Sequence, residues 1–345
     1  MATPGSVAVR TARSPSPTES IHPSAVRRSR SVGVVAADLV DFRPFDCPPE
    51  DPASTLAALR ELQGDASAFY VRCYRHFGVG MQRWPGISRT PARPEWYAGN
   101  GRLIDLVACY QSPEPDPSGF AEFVREAVRD VAGWGGGKVQ VGEELNMPAP
   151  QDGGSPGCFD AIAAGIAAAL EERERLGVAV EIGVNSAGMA DPVFWQRMAD
   201  AVGATRLAAL DYIGLDAFPD VFHRIPHDQL AGSVGYLLER FRSVTTDAGV
   251  PASTPIHITE TGWPTGADRG EETQRVVLET VANAVFDADL GITAYEFFGL
   301  RDGRSDGEWT SRFGLLRDDY TPKPAFPAIC DLIGSRSTPN GRSTV

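Results

Sequence analysis

The sequence predicts a single (β/α)8 barrel flanked by a disordered N-terminal tail. Three observations carry that expectation. Strand-like and helix-like runs alternate eight times, with a repeat of roughly 30 to 45 residues. The strand-like runs are short and largely apolar, as strands covered on both faces are. Several of them end on a polar or acidic residue followed by turn chemistry, the pattern expected where barrel strands open onto a functional edge.

In chain order, 32–37 reads as the first strand. The helix over 52–62 follows, with Leu56, Leu59 and Leu62 on one face. Residues 66–74 and 103–110 form the second and third strands. A helix over 120–131 aligns Phe120, Phe123, Val124, Ala127, Val128 and Val131 in register. The fourth strand, 138–141, precedes an Ala-rich helix over 158–176, with Gly177 at its C-cap. A fifth strand (178–184), a helix (192–202), a sixth strand (212–217) and a helix (230–248) continue the alternation. The seventh strand covers 256–260, then a helix 271–286, the eighth strand 292–298 and a closing helix 325–333. The weak unit is 76–101, which Pro85, Pro91 and Pro94 break into an expected long loop. A doubly wound open sheet is the alternative fold, but it usually carries a Gly-rich phosphate turn after its first strand and none occurs here.

The 345 residues, 42% of them hydrophobic and 22% charged, suffice for one large α/β barrel or two smaller domains. A net charge of −13 argues against a nucleic-acid partner, because phosphate binding draws on surplus Lys and Arg. No apolar run approaches the roughly 20 residues that cross a bilayer. The five cysteines are scattered without CxxC spacing, which suits reduced thiols in a cytosol. Residues 1–31, rich in Ser, Pro, Thr and Arg, are expected to be a disordered basic tail, residues 32–334 the barrel, and residues 335–345 a flexible end. Arg27-Arg28-Ser29-Arg30 lies before a short apolar run, but Asp38 cuts that run short and no cleavage site follows. A cytoplasmic protein is the resulting expectation.

In a barrel of this kind the strand C-termini form the active face. The polar residues there are Asp38, Arg72, Arg75, Gln111, Glu143, Glu144, Asn146, Asn185, Asp216, Glu260 and Glu296. Two ends hold carboxylates in informative settings: Val141-Gly142-Glu143-Glu144 after the fourth strand, and Thr259-Glu260-Thr261-Gly262-Trp263-Pro264 after the seventh. Two carboxyls facing one cleft are what glycoside cleavage needs, one protonating the leaving oxygen while its partner meets the anomeric carbon. Barrel rims also carry acids for structural reasons, so the pair by itself leaves both readings open. The histidines include no HxH or HExxH, so no metal site is expected, nor any cofactor; GxSxG and P-loop motifs are absent too.

These segments resemble clan A retaining glycoside hydrolases. The carriers are Val-Gly-Glu-Glu at 141–144, Asp-Tyr-Ile-Gly-Leu-Asp at 211–216, Thr-Glu-Thr-Gly-Trp-Pro at 259–264, and Phe313-Gly314-Leu315 with Pro322-Lys323-Pro324-Ala325. The nearest likeness is to the endo-β-1,3-glucanase and β-1,4-galactanase branches. The resemblance implies Glu260 as nucleophile, Glu144 as acid/base, and carboxyls about 5–5.5 Å apart. It also implies that Arg72 holds the nucleophile ionised. The family's Asn before the acid/base is here Glu143, which accepts from a hydroxyl but cannot donate as an amide does. That departure suggests an amino sugar or another cationic substrate. Asp216-Ala217-Phe218 replaces His-x-Tyr, and Glu296-Phe297-Phe298 replaces a tryptophan platform. Asp216, Glu296, Trp263 and Trp309 complete the expected substrate contacts, the two tryptophans as sugar platforms. The function expected is a retaining glycosidase or transglycosidase on a β-linked sugar; a non-catalytic barrel that binds a sugar-like ligand is the alternative.

Overall fold

A computed structural model describes residues 31–35, 47–78, 89–148, 153–189, 191 and 193–337. The strands are β1 (Ser31–Val35), β2 (Phe69–Gly78), β3 (Arg89–Thr90), β4 (Arg102–Gln111), β5 (Gly137–Val141), β6 (Val180–Ala187), β7 (Tyr212–Asp216), β8 (Ile256–Thr261) and β9 (Ile292–Phe297). The helices are α1 (Pro52–Gln63), α2 (Pro117–Gly133), α3 (Cys158–Leu176), α4 (Phe194–Val202), α5 (Ala204–Leu207), α6 (His227–Asp247), α7 (Glu271–Asp287) and α8 (Ala325–Ser337). β1 pairs in parallel with both β2 and β9, which closes eight parallel strands into a barrel. β3 is a two-residue antiparallel addition to β2, and it lies inside the expected long loop. The expected N-terminal tail and Asp38 lie outside the described residues, apart from Ser31, which opens β1. α8 runs three residues into the expected C-terminal tail, and the remainder of that tail lies outside the described residues.

Local chemistry sets the helix ends. Asp51 accepts from the Ala53 N–H and Asp116 from the Gly119 N–H, each just before a proline in the first turn of α1 or α2. Gly177 ends α3 at φ 63°, a left-handed turn that glycine adopts without strain. β2 runs four residues beyond its expected end, because Phe77 stacks with Tyr110 and packs edge-on against Phe120 under α2.

Alternation along each strand sorts the side chains into two compartments. The outward positions Val71, Leu106, Val139, Ile182, Ile213 and Ile258 are buried under the helices and form the main apolar core. Many of the inward positions are polar. Arg72, Asp105, Lys138, Gln140 and Glu296 are all 0% exposed. The barrel is therefore filled by an ionic cluster where aliphatic layers are usual. Below that cluster Tyr212 stacks on His257, centroids 4.0 Å apart, and the Lys138 ammonium lies 4.1 Å from the Tyr70 ring centre. Gly183 makes the room: a Cβ there would stand 2.5 Å from Tyr212 Cε1.

Candidate active site

The mouth of the barrel gathers side chains from β2, β4, β5, β6, β7 and β8. Arg72 on β2 is its centre. Nη1 donates to Asp105 Oδ2 at 2.8 Å and to Gln140 Oε1 at 3.1 Å, while Nη2 donates to Glu143 Oε2 at 3.1 Å. Nε donates to the Tyr74 hydroxyl at 3.1 Å and stands 3.5 Å from Glu260 Oε1. Tyr74 in turn donates to Glu260 Oε1. Burial works against the guanidinium charge, but the Tyr74 hydroxyl and the Glu143, Asp105 and Glu260 carboxylates outweigh it and hold Arg72 well above its ordinary value. Burial, and then the neighbouring Glu260, push the Tyr74 hydroxyl well up, so it stays a donor.

Glu260 reaches this cluster through a local irregularity. Thr259 already points inward, where its hydroxyl lies 2.6 Å from Asp216 Oδ1. Strict alternation would turn the next residue outward. The register shifts on both sides of β8, between Leu215 and Asp216 and between Ile258 and Thr261, and Glu260 turns to the lumen opposite Asp216. After β5 the chain does the same by another means. Gly142 takes φ 87°, and Glu144 takes φ 38°, which is costly for a residue with a Cβ. Between them Glu143 projects inward to Arg72. Gln140 Nε2 also donates to Glu143, as does Asn185 Nδ2 at 3.4 Å. The Glu144 N–H donates to Asn185 Oδ1 at 3.0 Å, and Asn185 Nδ2 reaches Asp216 Oδ2 at 2.5 Å.

Glu143, Asp216 and Glu260 are buried and offer carboxylate oxygens within 4.8 Å of one another, a spacing that one cation could span. Arg72 already faces two of the three. Burial first, then the charges of Glu260 and Glu144, hold Asp216 well above the usual carboxylate range. Glu144 is only half-buried and borders this group from the Asp216 side.

Of the sequence-predicted site residues, Arg72, Glu143, Asp216 and Glu260 thus come together, with Glu144 beside them. Two others do not reach the mouth. Glu296 is fully buried and accepts from Lys138, whose ammonium also lies 3.3 Å from Asp105. Trp263 is 1% exposed, its indole N–H donating to Asp220 at 3.0 Å and its ring faced by Arg224 and Arg269, so no face is open to a sugar. Trp309 remains at the surface, 38% exposed. Among the other strand-end residues, Arg75 turns out to Asp130 of α2, and Asn146 bonds the Ala187 backbone from both sides. Tyr74, Asp105, Gln140 and Lys138 belong to the site and its support but were not singled out from the sequence. The available signal was a polar residue set between apolar neighbours, as for Asp105 in β4 and for Lys138 and Gln140 in β5.

The class defined by fold and site is a closed (β/α)8 barrel with an acidic C-terminal mouth. Among solved structures it is similar to a glucosidase from Croceicoccus marinus, with 16% identity, TM-score 0.64, and coverage of 90% of this chain and 68% of that one. It is also similar to fungal β-1,4-galactanases (14%, TM-score 0.56, 88% of this chain and 99% of that one). A β-glucuronidase from Ruminococcus gnavus, solved in complex with D-glucuronic acid, matches at 11% identity and TM-score 0.54 over 89% of this chain. The chain spans about half the length of that last enzyme, 49% of it. No protein-family model matches the sequence, and no curated protein matches it. At these identities the likeness shows the fold. Among the described residues no helix is long and apolar enough to cross a membrane.

Proposed function

We propose that this barrel is a retaining glycosidase or transglycosidase acting on a β-linked sugar, with Glu260 as nucleophile and Glu144 as acid/base. The observation that carries the reading is the placing of Glu260. A register shift turns it into the mouth, where the Tyr74 hydroxyl donates to it and Arg72 Nε lies at 3.5 Å. Both neighbours favour its ionised form, which a nucleophile needs. The acid must instead hold a proton until the leaving oxygen takes it. Glu143 is unsuited to that, because Arg72, Gln140 and Asn185 all donate to it as to a carboxylate. Glu144 sits half-buried at the rim, its N–H tied to Asn185 and its charge acting on Asp216, and is the better acid. In the first step Glu260 attacks the anomeric carbon while Glu144 gives its proton to the departing oxygen. In the second step Glu144 takes a proton from water, or from an acceptor hydroxyl, as the glycosyl–Glu260 ester breaks.

The acidic mouth supports a neutral or cationic sugar over a uronate, since Arg72 is engaged by Asp105, Glu143 and Glu260. A cytoplasmic setting follows the expectation drawn from the sequence. A sugar-binding barrel without turnover is the second reading, favoured by Glu143 in the amide's place. A 2-deoxy-2-fluoro glycosyl fluoride panel separates the two. Retention with Glu260 as nucleophile adds one fluorosugar mass to the peptide containing Glu260. A folded protein that no sugar in the panel labels, or a Glu260→Gln variant with undiminished turnover, overturns the proposal.

A further inference from the structure

Beside the acids, the mouth has an apolar side. Tyr74, Val107 and Cys109 form a buried cluster separate from the main core, and Phe298, the residue after β9, packs on it. Tyr74 is also the hydroxyl that donates to Glu260. From Phe298 a chain of rings leads outward. Phe298 meets Phe218 at 5.6 Å, Phe218 meets Phe222 at 6.1 Å, and Phe222 meets Trp309 at 6.2 Å. Phe313 backs the chain, touching Phe218, Phe298 and Trp309. Exposure grows from Phe298 and Phe218, both half-buried, to Phe222, 68% exposed at the rim, with Trp309 beyond it 38% exposed. Arg269 holds the outer end in place, its guanidinium 5.1 Å from the Trp309 ring centre and tied to the Val221 carbonyl at 2.7 Å.

We propose that this wall is the subsite for the leaving group, and that it takes a flat aromatic aglycone and not a second sugar; the proposal rests on the glycosidase reading above. Two features distinguish these occupants. A sugar ring stacks flat on one broad aromatic face and seeks hydrogen-bonding side chains around it. Here the successive rings cross at 71–87°, which gives edges and clefts and no broad platform. The wall's own side chains are Phe218, Phe222, Phe298 and Trp309, with a single N–H among them. An aromatic aglycone can insert edge-to-face into such a cluster, covering Phe222 while its sugar reaches Glu260 beside Tyr74. The continuity of the rings with the Tyr74 cluster is what ties the wall to the reacting centre.

Calorimetric titration with matched β-glycosides tests this without requiring turnover. The probes are 2-naphthylmethyl and ethyl glycosides of glucose, galactose, mannose, glucuronic acid and 2-amino-2-deoxyglucose. For at least one sugar the naphthylmethyl glycoside should bind roughly tenfold more tightly than its ethyl partner, the scale of one to two aromatic contacts. Phe222→Ala and Trp309→Ala should each reduce that ratio severalfold. Equal affinities, no measurable binding of any naphthylmethyl glycoside, or an unchanged ratio in both variants would overturn the aglycone subsite. Naphthylmethyl selectivity without labelling of Glu260 by the fluorosugar panel would instead keep the subsite and remove the catalytic reading.

Discussion

Replacing Lys138 by Met tests the ionic interior. The perturbation deletes an ammonium that is 0% exposed, bonded to Glu296 and 3.3 Å from Asp105. Burial opposes the ammonium charge, yet Asp105 and Glu296 outweigh it and hold Lys138 above its ordinary value. Asp105 keeps Arg72 at 2.8 Å after the substitution, so Glu296 is the group left stranded. Breaking a buried pair by removing one partner costs about 3–5 kcal/mol. With about 2.1 cal/mol/K per residue of unfolding entropy over 345 residues, that lowers Tm by about 4–7 °C. The sign with pH is fixed too. Burial already pushes Glu296 up to about 7 against the pull of Lys138. Without that pull its folded value climbs further above the unfolded one. Stability tied to its neutral form is then present at low pH and lost as pH rises through the folded value. Urea unfolding of Lys138→Met should show the larger deficit at pH 8 and the smaller at pH 5. Adding Glu296→Gln should restore part of the loss and flatten the dependence. A deficit below about 1 kcal/mol, or one independent of pH, would refute the reasoning.

Three further outcomes are expected. Gly183→Ala places a Cβ 2.5 Å from Tyr212 Cε1 and should destabilise by about 1–3 kcal/mol in urea unfolding, whereas a cost near zero would mean the floor of the barrel yields easily. Asp216→Asn should come closest to wild-type stability below about pH 4, where the unfolded carboxyl is still protonated, and should gain on it as pH rises above that. The raised folded value of Asp216 makes its contribution available at low pH and lost as it ionises, which Asn cannot do; parallel pH curves would count against that raised value. Glu143→Asn should cut the preference for an amino sugar over its neutral counterpart roughly tenfold in kcat/KM, the difference between a charge-assisted and a neutral hydrogen bond, and an unchanged ratio would sink a charge-reading role for Glu143.

The periodicities made the architecture legible. α3 and β7 fall within a residue of their expected bounds, because Ile162 and Ile166 mark a helical stripe and the apolar run at 212–215 a buried strand. The acids at the tips of β5 and β8 were legible for the same reason, since each stands out against an apolar run. The lumen was not. Lys138-Val139-Gln140-Val141 alternates as a half-exposed strand does, and alternation alone cannot say whether the polar side faces water or a closed barrel. Glu296 could therefore pass for a rim residue. Only the closure of β1 onto both β2 and β9 places it inside, against Lys138 from the far side of the barrel. Trp263 misled for a related reason: turn residues around it suggested exposure, but Asp220, forty-three positions earlier, receives its N–H and draws the ring inward. Tyr74 was hidden by register, since its role depends on a bulge in β8 that the residues of β8 do not announce.

The ionic lumen also constrains how this barrel can change over generations. Arg72, Asp105, Lys138 and Glu296 neutralise one another as a set, so altering any one alone strands a charge where water cannot reach it. Descendants of this sequence can drift at these positions only through paired replacements. Phe222, largely bathed in solvent, carries no such obligation. New specificities therefore have an open route through single changes at the outer rings, while the charged interior passes on as one inherited block.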